Sequence, residues 1–280
     1  MVETKRVYIL VKTYPTISEK YSELVCTAGI LEDGSWIRLY PVPFRLLKDE
    51  QRYPKYTWIT VDVERNTNDF RPESYKPIDY NKIIVEPKPR QVDWDIRRSI
   101  ISQTPVFTNL TALISEAKSA SKTSLAIFKP TEIIDFVVEP GKREWDKKKL
   151  ASLHTQAMQL SFIKSIKEQE DEFKTVRKIP YKFSYKFKDD AGRIATLMVE
   201  DWELGMLYLH CLDRALGDEQ KAIADVKKKY FFDFQNKDLY FFLGTTLQYH
   251  NSSLNPFIII GVFYPPKPAT AQQLSFFDAT

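Results

Sequence analysis

The sequence predicts an α+β protein in which two β-rich halves flank a largely helical insert. Short runs of β-branched and aromatic residues, separated by turn signals, fill residues 7–85. Between residues 93 and 173 the apolar residues instead recur every three to four positions, which is typical of helices. The β pattern returns after Pro180. We therefore divide the chain into a first β-barrel at 1–90, a helical insert at 91–173, a second β-barrel with helices at 174–264 and a tail at 265–280.

Four strand-like runs make up the first half: VYILVKTY, ELVCTAGIL, WIRLYPVPF and YTWITVDVE. Between the second and third runs, Asp33-Gly34 predicts a hairpin turn because both residues tolerate positive φ. Such a series of short strands indicates a small barrel or sandwich. The segment Arg71–Pro77, RPESYKP, predicts extended backbone, since a proline disfavours the helical region for the residue before it.

Helical periodicity occupies most of the middle of the chain, at 108–121 and 144–173, and one strand is predicted between these stretches at 132–139. In the second half we expect strands in YKFSYKFK, RIATLMVE, LYFFLGTTLQ and PFIIIGVFY, with helices over 203–216 and 219–231. After Tyr264 the sequence changes to PPKPATAQQ, a stiff polar tether, followed by LSFFDAT. We expect this tail to be flexible and to lie outside the fold.

Composition excludes several classes of protein. Eight glycines in 280 residues are well under half of the usual share of ~7%, which argues against glycine-rich phosphate loops. Two cysteines, Cys26 and Cys211, are too few for a disulfide framework or a four-thiolate zinc site. No stretch approaches the ~20 apolar residues that span a bilayer, and the N-terminus does not resemble a signal peptide. We expect a cytoplasmic protein without membrane contact.

Residues suited to catalysis are sparse in the sequence. The three histidines are not spaced like metal ligands, and neither a nucleophile elbow, nor a Walker loop, nor a dinucleotide fingerprint is present. Asp62 and Glu64 alternate on a strand, as acidic pairs do in metal-dependent nucleases, but Asn66 stands where such a site needs a lysine. We therefore predict no catalytic residue, no metal site and no cofactor. A nuclease that uses Asp62, Glu64 and Glu73 remains a lesser alternative.

Basic and aromatic residues alternate between Lys174 and Lys188, a stretch without acidic residues. A period of two places the rings on one face of a strand and the lysines on the other. One interpretation is a strand with a buried aromatic face and solvated lysines. The other is a strand whose lysines track a phosphate backbone while its rings stack on bases, as in oligonucleotide-binding barrels. The second interpretation assigns nucleic-acid contacts to Lys178, Lys182, Tyr185, Lys186 and Lys188.

A second candidate surface surrounds the first hairpin. Trp36, Arg38 and Tyr40 share one face if their strand is regular, and Arg45 and Arg52 follow closely in the sequence. An arginine between two aromatic residues is typical either of a cation–π stack on a barrel exterior or of a base-binding platform. We include Trp36, Arg38 and Arg45 among the candidate nucleic-acid contacts.

These motifs resemble those of the dual OB-containing domain found in bacterial mobile-element and conflict-system proteins. The opening of that family has a Cys-x-Ala-Gly step and a Trp-Ile-Arg strand, matched here by Cys26, Ala28, Gly29, Trp36, Ile37 and Arg38. RPESYKP is similar to its Gln-Pro-Glu segment, with Arg71 in place of the glutamine, and Glu200-Asp201-Trp202 stands at its Thr-Asp-Pro step. The resemblance covers most of residues 5–265. It implies a pair of OB-like barrels and a nucleic-acid or nucleotide role, without an activity. Together with the sequence pattern, this predicts two small OB-like β-barrels with a helical insert and a flexible C-terminal tail.

The tail carries a further resemblance, to the pentapeptide that binds the bacterial sliding clamp. Its residues are Gln273, Leu274, Ser275, Phe276 and Phe277, with Phe276 in place of a leucine. Short apolar peptides of this kind insert into a preformed groove on the partner. The alternative is that Leu274, Phe276 and Phe277 pack on the protein's own surface or in another protein's groove.

From these observations we expect a nonenzymatic nucleic-acid-binding module. DNA is favoured as the partner, and a multiprotein bacterial defence or mobile-element system as the setting. The net charge of +4 is too small to identify a nucleic-acid binder by itself, so the prediction depends on where the basic residues lie. A protein-interaction scaffold and a modified-nucleotide sensor remain alternatives, because a pair of barrels serves many functions.

Overall fold

The computed structural model describes residues 1–17, 23–87, 93–147 and 176–268. Its strands are β1 (Val2–Lys12), β2 (Thr16–Ile17), β3 (Glu23–Ile30), β4 (Trp36–Val42), β5 (Trp58–Arg65), β6 (Ser74–Pro77), β7 (Ile84–Val85), β8 (Val106–Phe107), β9 (Leu125–Phe128), β10 (Glu132–Pro140), β11 (Tyr181–Lys188), β12 (Ile194–Met198), β13 (Tyr240–Thr245) and β14 (Phe257–Phe263). Its α-helices are α1 (Trp94–Ile101), α2 (Leu110–Lys118), α3 (Trp202–Arg214) and α4 (Glu219–Lys227). The mixed α+β class expected from the sequence is confirmed.

The first half forms a closed five-stranded barrel. Its strands are hydrogen-bonded in the order β1, β3, β4, β6, β5 and back to β1. All these pairings are antiparallel except the parallel one between β4 and β6. A five-stranded Greek-key barrel of this kind is OB-like. The predicted hairpin at Asp33-Gly34 joins β3 to β4, and Gly34 has a φ of 79°.

The long strand β1 closes this barrel because it pairs with two neighbours. Residues 2–8 pair with β5 and residues 8–12 pair with β3, and a register shift between Ile9 and Val11 marks a bulge. On β3, a Cβ at Gly29 would lie 2.3 Å from the carbonyl oxygen of Tyr8, so only glycine lets the two strands approach this closely.

The second half repeats this strand order with a divided first strand. β10 pairs with β11 and β11 with β12, whereas β9 pairs with β13 and β13 with β14. A parallel bridge between Val199 and Ile259 connects the end of β12 to β14. β9 and β10 together therefore occupy the position that β1 has in the first barrel.

The helices begin where the sequence supplies capping side chains. Asp93, Asn109, Asp201 and Asp218 each accept a hydrogen bond from a backbone N–H of the first turn of a helix. α3 and α4 lie between β12 and β13 in the chain, and their apolar faces pack into the core of the second barrel. A six-residue π-helix, Lys228–Asp233, continues α4.

Residues 125–140 pair with strands of the second barrel, although the predicted division of the chain assigns them to the helical insert. The described part of the predicted insert holds α1 and α2, but also β9 and β10, which belong to the second barrel. The strand at 132–139 was expected, whereas LAIF at 125–128 is too short for its periodicity to separate a strand from a helix. Residues 148–173 of the predicted insert lie outside the described residues.

The two barrels pack against each other through an apolar layer. The outer face of β3 and β4 contributes Ala28, Ile30 and the ring of Trp36, and the second barrel contributes Phe242 and Ile260. The Trp36 ring meets the Phe242 ring edge-on, with 6.2 Å between centroids. Burial of these side chains stabilises the barrel pair by removing apolar surface from water.

A buried ion pair also joins the barrels. The Lys55 ammonium, in the loop between β4 and β5, lies 3.1 Å from Asp201 and 3.3 Å from Glu203, at the start of α3. Burial alone would lower the pKa of Lys55, but the two carboxylates raise it above its ordinary value. Lys55 is therefore charged at neutral pH, and the docking of the barrels depends on a compensated buried charge.

Candidate nucleic-acid interface

The lysines of β11 lie on the outer face of the second barrel. Lys182 and Lys186 are exposed and Lys188 is partly exposed, while Thr196 on the neighbouring strand β12 is exposed beside them. In the first barrel, the corresponding second and third strands are β3 and β4. This face of an OB-fold, with the loops that follow its first and fourth strands, is where oligonucleotides bind in that architecture.

The aromatic residues of β11 point the other way, into the core. Phe183, Tyr185 and Phe187 are buried, and the Tyr185 hydroxyl donates a hydrogen bond to the carbonyl oxygen of Tyr230. The interpretation in which Tyr185 stacks on a base is therefore wrong. The predicted alternation along the strand is present, and its aromatic face packs in the core of the second barrel.

Carboxylates on β10 face the lysines of β11. Glu132 lies 2.6 Å from the Lys188 ammonium, and the β10–β11 register places Asp135 opposite Lys186 and Glu139 opposite Lys182. Partial burial would raise the pKa of Asp135, but its ion pair with Lys227 of α4, at 3.1 Å, lowers it, as does the charge of Lys186. The positive charge of this face is thus partly compensated, most completely at Lys188.

Residues at the start of β11 line a cavity of about 560 Å³, which we call the lysine pocket. Lys142, Lys178 and Lys182 line it, together with the rings of Trp145 and Tyr181. The Lys178 ammonium lies 4.0 Å from the centroid of the Trp145 ring, and the indole N–H of Trp145 donates to the carbonyl oxygen of Val176. The pocket thus combines ammonium groups, which attract phosphates, with two aromatic rings, and the Trp145 ring is already stacked with Lys178.

A second cavity, of about 630 Å³, lies between the barrels, and we call it the arginine pocket. It is lined by Arg38 and Tyr40 of β4, by the loop 66–73 between β5 and β6, and by the start of the loop between β13 and β14. Both of these loops join the fourth and fifth strands of a barrel. The corresponding loop of each barrel therefore lines this pocket.

Arg38 connects the two barrels at the wall of this pocket. Its guanidinium donates to the Ser124 hydroxyl at 2.9 Å and to the Ser124 carbonyl oxygen at 3.2 Å, and lies 3.8 Å from the Glu73 carboxylate. Only 2% of Arg38 is exposed, and this burial lowers its pKa. Arg38 is therefore held by the interface between the barrels rather than presented on an exterior strand.

Arg71 is held as firmly at the other side of the pocket. Its guanidinium makes a bidentate pair with Asp69 and donates to the carbonyl oxygen of Thr245 in the second barrel. Thr245 in turn bonds the imidazole of His250, which reaches the carbonyl oxygen of Ala117. The Arg-Pro-Glu segment noted in the sequence thus forms a polar connection between the barrels.

Glu200 lines both pockets. It follows β12, and its backbone N–H donates to the carbonyl oxygen of Ile259 at 2.8 Å. The side chain is partly buried, and within the described ranges its carboxylate has no hydrogen-bond or ion-pair partner. Desolvation raises the pKa of Glu200, and the charge of Lys178 acts in the opposite direction.

The remaining candidate contacts lie elsewhere. Trp36 packs at the interface between the barrels, and Arg45 lies on a 3-10 turn whose residues line neither pocket. Of the predicted contacts, Arg38 lines the arginine pocket, and Lys178 and Lys182 line the lysine pocket. The tail residues of the sliding-clamp resemblance lie outside the described residues: Gln273, Leu274, Phe276 and Phe277.

The carboxylates considered for a nuclease have partners within the protein. Asp62 accepts a hydrogen bond from Thr4, Glu64 pairs with Lys76, and Glu73 is buried beside Arg38. Within residues 1–17, 23–87, 93–147 and 176–268, no three His, Cys, Asp or Glu side chains are grouped as a metal site would require.

Two family models match the chain. The domain of unknown function DUF8758 matches residues 3–103, and the domain of unknown function DUF8757 matches residues 106–280, which is more than half of the chain. The chain belongs to the DUF8757 family. No curated protein matches the sequence. The chain is similar to a murine DNA-binding protein solved with double-stranded DNA, at 9% identity and a TM-score of 0.30 over 96% of this chain and 99% of that one, a likeness too low to carry an argument.

The boundary of the DUF8757 match agrees with the architecture. It falls between α1 and β8, so the DUF8757 part holds the strands of the second barrel and the DUF8758 part holds the closed first barrel with α1. In the described part of this DUF8757 member, no helix has the length and apolar character needed to cross a membrane.

Sequence reasoning missed three residues that the fold brings to these pockets. Lys142 and Trp145 follow β10 and meet Lys178 only because the chain returns there before β11. Glu200 was noted only as a departure from a motif. No local signal distinguishes these residues, because their proximity arises from the barrel closure and from docking.

Proposed function

We propose that the protein is a nonenzymatic nucleic-acid-binding module, with DNA as the favoured ligand. The observation that carries this proposal is the position of Lys182. It belongs both to the exposed lysine face of β11 and to the lysine pocket, so it connects a basic surface to a cavity lined by Trp145 and Tyr181. A strand running along β11 would meet ammonium groups on its phosphates and aromatic rings at the end of its path.

The electrostatics of the face favour moderate affinity. Each lysine of β11 has a β10 carboxylate opposite it, which offsets part of its attraction for phosphates. The lysine pocket is more positive, because Asp201, its other carboxylate besides Glu200, is already paired with Lys55. We therefore place the strongest phosphate contacts at Lys142, Lys178 and Lys182.

The test is charge reversal measured by fluorescence anisotropy with a labelled single-stranded oligonucleotide. A variant with Lys182, Lys186 and Lys188 changed to Glu should bind more weakly to every sequence, because phosphate contacts do not read bases. The slope of log K against log salt is negative, and its magnitude should decrease by about 2, since each phosphate contact on a single strand contributes ~0.7.

The matched control reverses three exposed lysines on other elements: Lys48, Lys82 and Lys118. Its net charge equals that of the first variant, so a loss of affinity confined to the β11 variant supports the proposed surface. Equal losses in both variants, or unchanged affinity in the β11 variant, would contradict it.

A nucleotide sensor is the second candidate, and the arginine pocket favours it. A cavity of about 630 Å³ lies in the size range of small-ligand sites, and its wall carries two guanidinium groups and an aromatic ring. Isothermal titration with mononucleotides discriminates the two functions. Mononucleotide binding without affinity for oligonucleotides would favour the sensor.

Cellular context and the clamp partner belong to the same proposal and depend on the sequence resemblances. We propose a cytoplasmic role in a bacterial defence or mobile-element complex, with the tail binding the sliding clamp. A peptide spanning residues 269–280 should bind a purified bacterial clamp with roughly micromolar affinity, the range expected when a short segment is ordered on binding. Absence of binding at high micromolar concentration would remove the clamp from the proposal.

A further inference from the structure

Glu200 is a carboxylate on the wall of both pockets. It lines both the arginine pocket and the lysine pocket, and burial disfavours its charged form. In the described part of the chain, no side chain or backbone group is hydrogen-bonded to its carboxylate. Its neighbour Asp201 contrasts with it, because that carboxylate is paired with Lys55 and caps α3. A partly buried carboxylate that lines two cavities and has no protein partner in this part of the chain suits a ligand that supplies N–H donors.

The chemistry of the bases decides which ligand this is. A carboxylate only accepts hydrogen bonds, and its two oxygens match two parallel donors. On its Watson–Crick edge, guanine presents the N1 and N2 donors side by side. Adenine and cytosine each present one amino group next to a ring nitrogen acceptor, which would face the second carboxylate oxygen. Thymine and uracil present one N–H between two carbonyl oxygens. Guanine is therefore the base whose edge complements a carboxylate.

We propose that Glu200 selects guanine in a single-stranded nucleic acid, accepting hydrogen bonds from N1 and N2 of a base held where the two pockets meet. This inference rests on the proposed function. It requires an unpaired base, because in a duplex the Watson–Crick edge is already engaged. The substrate class is thus narrowed from nucleic acid in general to guanine-containing single strands.

The surroundings of Glu200 fit this assignment. On one side, the lysine pocket offers Lys178 and Lys142 to the phosphates next to the base. On the other side, Asn66 and Gln248 line the arginine pocket, and the N–H groups of a side-chain amide can donate to an acceptor such as guanine O6. The negative charge of Glu200 repels phosphate, so this position suits the base rather than the backbone.

The experiment compares oligothymidylates that carry a single central dG, dA, dC or deoxyinosine with an unsubstituted oligothymidylate. Anisotropy at one salt concentration gives each affinity as a ratio to that of the unsubstituted strand. We expect the dG strand to bind about tenfold more tightly, the scale of one bidentate base contact. Deoxyinosine, which lacks the N2 amino group, should show an intermediate ratio, and dA and dC should give ratios near one.

The protein variant for this test is Glu200→Gln, with Glu50→Gln as the control that removes an exposed carboxylate elsewhere. In Glu200→Gln the dG ratio should fall to about one, and in Glu50→Gln it should persist. The ratio is insensitive to the general gain in affinity that follows from removing a negative charge. The deoxyinosine comparison uses the unaltered protein, so it tests recognition of the N2 amino group even where a variant folds poorly.

The outcomes separate the two proposals. If the wild-type protein binds none of the strands, the proposed function fails. If it binds all of them equally, nucleic-acid binding stands and guanine selection is overturned. A dG preference that persists in Glu200→Gln, or a deoxyinosine ratio equal to that of dG, would overturn the role assigned to Glu200.

Discussion

The corresponding outer faces of the two barrels differ in their exposure to solvent. In the first barrel, the outer face of β3 and β4 carries Ala28 and Ile30 and is buried under the second barrel. In the second barrel, the corresponding face of β11 and β12 carries Lys182, Lys186 and Thr196 and is exposed. The difference shows that an OB-like face is not a ligand site by topology alone. In the first barrel this face is the docking surface, and in the second it is exposed to solvent.

The motifs that resemble the dual OB-containing domain have structural roles in this protein. Gly29 permits close packing of β3 on β1, Ala28 and Trp36 form the apolar layer, and Arg38 reaches Ser124 in the second barrel. Ala28, Trp36 and Arg38 stabilise the pairing of the barrels, whereas Gly29 acts within the first barrel. Motifs that had suggested a ligand-binding platform on the first hairpin therefore describe an interface within the protein.

The largest expected effect comes from breaking the docked face at its buried charge. Lys55→Met should destabilise the protein by about 3–5 kcal/mol, because Asp201 is then left buried without a counter-charge. Denaturant unfolding measures this change. Adding Asp201→Asn, which keeps a capping oxygen for α3, should restore much of the loss. A single variant within about 1 kcal/mol of wild type would contradict the role of this pair in docking.

Arg38→Ala tests whether the first hairpin is structural. We expect a loss of about 3 kcal/mol in the free energy of unfolding, since Glu73 and Ser124 lose a buried partner. The sequence interpretation, a ligand-binding arginine on an exterior strand, predicts nearly unchanged stability and weaker binding. A melting temperature equal to that of the wild type would restore that interpretation.

Lys182→Ala probes the free face with a small perturbation. Stability should change by less than about 0.5 kcal/mol, because the side chain is exposed and its removal leaves no buried group unpaired. Oligonucleotide affinity should fall. The magnitude of the slope of log K against log salt should decrease by about 0.7, the contribution of one phosphate contact on a single strand. Lys228→Ala, on the π-helix beyond α4, is the control and should leave the slope unchanged.

The smallest expected effect on stability is a gain in Glu200→Gln. Burial raises the pKa of Glu200 above its ordinary value of 4.5, so the charged form destabilises the folded state at neutral pH. The variant should melt at a slightly higher temperature at pH 7. The difference should close as the pH falls towards 4.5, where both folded and unfolded wild-type chains take up the proton. A lower melting temperature in the variant at pH 7 would show that the carboxylate stabilises the fold.

Much of the fold was accessible from local patterns. The hairpin at Asp33-Gly34, the strand at 132–139, the alternation along β11 and the helices over 203–216 and 219–231 all correspond to elements of the structure. β9 was missed because four apolar residues carry no usable period. α1 was missed as well, although Asp93 supplies a cap for its first turn.

The sequence by itself determined what depends on near neighbours in the chain: which residues alternate, where turns occur and which side chains cap helices. It placed Trp36, Arg38 and Tyr40 on one face of a strand, and the lysines of β11 opposite their aromatic neighbours. Only the tertiary structure decided which of these faces meets solvent. That choice depends on contacts such as Arg38 with Ser124 and Lys55 with Asp201, which join residues 86 and 146 positions apart. Because no local pattern encodes which distant surface will cover a strand, the burial of Arg38 and the placing of Glu200 between two pockets follow from docking alone.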